Sequence, residues 1–238
     1  MSRFGKAFSI VGLALGAAFM PFALDQKTEA QRANAPTGGN AAPASIPMGG
    51  NKSVTRFFVT SKGLGKGGDL GGLSGADAHC QALAKEQGAG DHTWRAYLST
   101  EATATTPAVN ARDRVGGGPW YNASGDLVAQ HLAALHGTQS KLGKDTAVTE
   151  VADEVSPQMH EILTGSLQNG TAFPGNAQRT CNNWTSSGAG SAQVGYSDRS
   201  GRGENANSWN SAHPTSGCSE EAFRKSEGAG LFYCFAVD

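Results

Sequence analysis

Apolar and polar positions alternate in short runs along this chain, and only one segment keeps a helical period. Arg56–Ser61 (RFFVTS) is aromatic and β-branched and predicts a strand. Gly63–Leu73 (GLGKGGDLGGL) reads as a turn-rich loop. Ser74 stands where it can cap a helix over Gly75–Gln87, with Asp77 reaching back as in a capping box. Ala76, Cys80, Leu83 and Ala84 share one face of that helix, and Gly88 supplies its stop. Trp94–Ser99 (WRAYLS) alternates as a strand, and Glu161–Ser166 and Leu231–Val237 (LFYCFAV) are further strand candidates. Asp126–His136 (DLVAQHLAALH) stays open between helix and strand. From Asn169 to Ser219 the chain is mostly Gly, Ser, Asn and Thr, with Trp184 and Trp209 standing out. Trp94 and Trp120 sit in or beside strands and are expected in the core.

The amino-terminal part follows a different pattern. Arg3 and Lys6 precede an uncharged stretch from Ala7 to Leu24, and Thr28 and Ala30 fit the small positions before a cleavage point. Residues 1–30 are therefore expected to be a signal peptide. A retained membrane anchor is the alternative, because the uncharged stretch approaches bilayer-spanning length. It would then be the chain's one membrane contact. No cysteine lies near the cleavage point, so acylation is not expected. Residues 31–54, rich in Ala, Pro, Gly and Asn, read as a flexible linker, and 55–238 as the folded domain.

Composition narrows the class. The 238 residues include 33 glycines and 16% charged residues, with 19 basic against 20 acidic and a net charge of −1. The folded part carries 14 basic residues (19 minus 5) and 18 acidic (20 minus 2), a net −4. That balance lacks the basic excess of a nucleic-acid protein. The four cysteines, Cys80, Cys181, Cys218 and Cys234, all lie in the domain. An even count behind an export signal predicts two disulfides in an oxidising compartment. Zinc is disfavoured because no Cys-x-x-Cys or close Cys/His pair is present. Three pairings are open on count alone.

The order FFVTS, LGGLSGADAHC, WRAYLS, NARDRVGGGPWYNASG, ILTGS, TCNNWTSS, SWNSAH, GC and LFYCFA resembles a bacterial secreted family described as endostatin-like or as lectins. The resemblance covers Arg56 to Asp238. It implies an α+β, C-type-lectin-like (endostatin-like) fold, with short antiparallel strands, one or two helices and long disulfide-stapled loops. It also implies neighbouring first and last strands and the pairings Cys80–Cys234 and Cys181–Cys218. Some members bind host matrix and complement components, which implies adhesion and a secreted, periplasmic or cell-surface location.

A fold of this kind hosts unrelated functions, so chemistry has to be read residue by residue. Many animal C-type lectins that bind sugar through calcium share a Glu-Pro-Asn or Gln-Pro-Asp triplet and a Trp-Asn-Asp triplet. Here Trp209-Asn210-Ser211 replaces the last carboxylate by a hydroxyl, and Phe173-Pro174-Gly175-Asn176 lacks the acid. Calcium is thus not supported as a cofactor, with Asp198 and Glu204 the nearest acidic ligands. A calcium-free site is expected instead around Asn182, Asn183, Trp184, Asp198, Trp209, Asn210 and His213, with Asn207 nearby. Trp offers a flat face to a sugar ring and amides pair with hydroxyls. The competing expectation is that both Trp rings are core anchors under a long loop.

Catalytic signatures are missing: there is no His-Glu-x-x-His, Gly-x-Ser-x-Gly or phosphate-cradling loop. The chain is read as a non-catalytic module for carbohydrate or a surface or matrix protein. The rivals are an enzyme that gathers His160, Asp198 and His213 around a metal, and a structural envelope protein.

Overall fold

The computed structural model describes residues 53–238, and the expected signal peptide and nearly all of the expected linker lie outside the described residues. The domain is mixed α+β. Its main sheet has six strands, β1 (Phe57–Val59), β2 (Trp94–Ala96), β5 (Glu161–Leu163), β6 (Gln193–Tyr196), β7 (His213–Pro214) and β8 (Gly228–Ala236). A second small sheet pairs β3 (Trp120–Tyr121) with β4 (Leu127–Ala129). The order of the main sheet is β1-β8-β5-β6-β7, and β2 also pairs with β8.

β8 organises everything else. One edge pairs with β1 in the register Phe58↔Cys234, and the other pairs with β2 in the register Ala96↔Cys234. Further along, β5 joins β8 in parallel, with Leu163↔Phe232. This departs from the all-antiparallel expectation. It follows from the long connection after β5, which holds β6 and β7 and lets the chain return in the same direction. Side chains alternate across a strand, so Leu231, Tyr233 and Phe235 enter one core with Phe57 and Val59. Phe232, Cys234 and Ala236 enter the other with Phe58. β8 is therefore apolar on both faces.

α1 (Gly72–Glu86) covers the second of these cores through Ala76, Cys80, Leu83 and Ala84, the face expected from the period. Its start differs from expectation. No side chain caps it, and it begins before Ser74, after Gly71 in the left-handed conformation. Asp77 does not reach back to a cap. It accepts from the Ala96 amide at 2.9 Å and from Arg114 Nη2 at 2.7 and 2.8 Å, tying the helix to β2. The tertiary partners outcompete the local cap because Arg114 is nearly buried and needs a counter-charge. The open segment at 126–136 holds both alternatives, β4 followed by the one-turn α2 (Leu132–Leu135). α3 (Cys181–Trp184) and α4 (Glu220–Arg224) are also short.

Two disulfides staple this frame, Cys80–Cys234 between α1 and β8 and Cys181–Cys218 across the long loops. They are the pairings that the family resemblance implied. Such bonds persist in an oxidising compartment. No helix among the described residues is long and apolar enough to cross a membrane.

Candidate functional site

The residues expected to form one binding face are divided among three places. Asn182, Asn183 and Trp184 form α3, a left-handed turn in which all three have positive φ. Trp184 is fully buried in the α1-side core and donates its indole N–H to the Ser99 carbonyl at 2.8 Å. Asn183 is used up by the backbone: its Oδ1 accepts from Glu101 N at 2.7 Å and its Nδ2 donates to Glu101 O at 3.0 Å. Asn182 donates to Thr185 Oγ1. Trp184 and Asn183 thus anchor the loop, and Asn182 is the exposed member of the three.

Asp198 and His213 belong to a charged cluster around Tyr196. His160 and His213 contact the Tyr196 ring, with centroids 4.8 and 5.5 Å away, and each histidine has its own carboxylate. His160 Nδ1 lies 3.0 Å from Asp198 Oδ2, and His160 Nε2 lies 3.3 Å from Glu227 Oε2. His213 Nε2 lies 2.9 Å from Glu161 Oε1, whose other oxygen accepts from Ser226. The expected convergence of His160, Asp198 and His213 on a metal is not found, and no group of three or more His, Cys, Asp or Glu among the described residues could hold one. Asp198 accepts from His160 and from both the amide and hydroxyl of Ser200.

The electrostatics follow these pairings. Burial pushes the Asp198 carboxyl up, but hydrogen bonds from Ser200 and His160 outweigh it and leave the group below the ordinary carboxylate range. The hydrogen bond to Glu161 raises His213, against partial burial. His213 Nδ1 donates to the Pro214 carbonyl, so bonding Glu161 through Nε2 as well requires the doubly protonated ring. A raised folded value means that this pair contributes below the free histidine value near 6.5 and is lost as pH rises through the folded value. We expect His213→Gln to lower the melting temperature most at pH near 6 and progressively less towards pH 9, by a melting series on both proteins. A gap that widens as pH rises would contradict the assignment.

Trp209 and Asn210 occupy the third place. β6 carries Gly195 where the loop holding them crosses, and a Cβ there would stand 2.0 Å from the Trp209 carbonyl oxygen. Trp209 is 4% exposed in the β3-side core, with ring centroids 4.8 Å from Tyr97 and 5.3 Å from Tyr233. Its ring is therefore not a free platform for a sugar. Asn210 is buried and spends its Nδ2 on Tyr97 Oη and the carbonyls of Leu167 and Gln168.

Around them lie two basins that the sequence did not single out as such, the first mainly polar and the second with a more apolar lining. The first, of about 280 Å³, is lined by Gln168, Arg199, Asn205, Asn207 and Ser208, with Trp209 in its wall. The second, of about 610 Å³, includes Phe173, Arg179, Gln193, Ser211 and His213. Both share Gln168 and Asn205, which join by a 2.9 Å bond from Gln168 Nε2 to Asn205 Oδ1. Gln168, Asn205 and Asn207 are exposed. Asn207 was visible as one amide of a cluster. Gln168, Asn205 and Arg199 left no local signal, because segments distant in sequence bring them together. No family model matches this chain, and no curated protein matches it.

Proposed function

We propose that this chain is a secreted, non-catalytic binding module of C-type-lectin-like (endostatin-like) architecture that recognises carbohydrate on a surface or matrix partner without calcium. In support of the architecture, β1 and β8 are neighbours, Cys80–Cys234 bridges α1 to β8, and Cys181–Cys218 staples the long loops. The observation that carries the binding reading is the amide pair Gln168–Asn205, which lines both open basins. Exposed amides offer a donor and an acceptor each, the complement of vicinal hydroxyls. A concave site with a few convergent polar groups is the usual form of a small-ligand site.

A glycan array probed with the purified full chain, with and without EDTA, tests the reading. The expected result is a restricted set of hits that EDTA leaves unchanged. Hits abolished by EDTA would restore a calcium site, and an array with no hits would remove carbohydrate as the ligand.

A further inference from the structure

The first basin has a feature that an ordinary amide-lined cleft lacks: two donors with no acceptor among the described residues. Arg199 Nε is buried without a hydrogen-bond partner, and no described residue bonds or ion-pairs its guanidinium. Three of the four tryptophans donate their indole N–H to a carbonyl, Trp94 to Ala89, Trp120 to Ala236 and Trp184 to Ser99. Trp209, the one in this wall, donates to no described residue. Arg199 is half-buried, and burying part of a cation is costly unless it is paired. Arg199 also holds a left-handed backbone, φ 55°, which is uncommon for a residue other than glycine, asparagine or aspartate.

We infer that the first basin binds a sugar acid, with Arg199 taking the carboxylate and the amides of Gln168, Asn205 and Asn207 taking ring hydroxyls. This rests on reading the basin as a carbohydrate site. A guanidinium presents parallel N–H groups that fit a carboxylate. The charge count favours a monoanion over phosphate. Arg199 is the only full cation among the lining residues, and Glu204 at the rim opposes a second negative charge. His136 adds none: its Nδ1 donates to the Leu132 carbonyl and its Nε2 accepts from Tyr97 Oη, and burial lowers its proton affinity further.

Titration calorimetry of the full chain with D-glucuronate, D-glucose and acetate tests the assignment, using wild type, Arg199→Met and Arg199→Lys. Glucuronate should bind at least about tenfold more tightly than glucose or acetate, and Arg199→Met should lose that advantage. Arg199→Lys should recover only part of it, since an ammonium lacks the fork. Without ligand, Arg199→Met should melt at or above wild type, because it removes a half-buried cation that no described residue pairs. A marked fall in its melting temperature would mean that Arg199 is structural and would overturn the assignment. Equal binding of glucose and glucuronate, indifferent to Arg199→Met, would overturn the acid specificity and leave the sugar site standing. Acetate binding as tightly as glucuronate would overturn the sugar, and no binding of glucuronate at its highest soluble concentration would overturn the proposal outright.

Discussion

Cys80→Ala/Cys234→Ala should melt about 10–20 °C below the parent protein, the largest stability effect expected of any change that leaves the loops intact. The bridge joins positions 154 residues apart, so it restrains nearly the whole described chain in the unfolded state. In the chain-entropy account a loop of that length contributes about 5 kcal/mol, against about 4 for the Cys181–Cys218 loop of 37. Both sulfurs are completely buried between α1 and β8, so their loss also opens the contact that holds helix to sheet. Calorimetric scans of the double variant check this. A fall of only a degree or two would mean that the β8 pairings alone carry the fold.

Trp209→Ala should cost about 3–5 kcal/mol, in the range for deleting a large aromatic from a packed core. For a domain of this size that corresponds to about 6–20 °C in melting temperature. The ring fills space between Tyr97, Tyr233 and His136, and the Trp209 carbonyl accepts from Tyr233 Oη at 2.9 Å. An alanine leaves a cavity bounded by rings that cannot close over it. Because Trp209 also lies in the wall of the first basin, the variant would lose binding through disorder and cannot locate the ligand. Thermal melting decides the role of the ring. A melting temperature near that of wild type would return Trp209 to the list of exposed ligand platforms.

Much of the scaffold was readable because it depends on local pattern. The alternation in LFYCFAV marks β8, and the spacing of Ala76, Cys80, Leu83 and Ala84 marks the buried face of α1. β6 was hidden: Gln193–Tyr196 holds only one branched apolar residue, and its glycine is set by the crossing of a distant loop. The start of α1 was misread for a related reason. Ser74 and Asp77 satisfy a local capping pattern, but the nearly buried Arg114 and the Ala96 amide claim the carboxylate. The candidate site shows the same limit more sharply. Trp and Asn clustered along the chain suggested one surface, yet Trp184 and Trp209 lie in two different cores with β8 contributing to both. The basin that does form draws on Gln168, Arg199 and Asn205–Asn210, and nothing in sequence spacing marks an arginine that will be left without an acceptor among the described residues.

The central claim is that the basins lined by the Gln168–Asn205 pair receive the ligand. Binding of the leading array glycan to Asn205→Ala/Asn207→Ala tests it most directly, with melting measured on the same protein. Both side chains are exposed, so the fold should be undisturbed. The account predicts an unchanged melting temperature and an affinity about tenfold weaker or more, the loss of one or two well-formed hydrogen bonds. Wild-type affinity in that variant would contradict it.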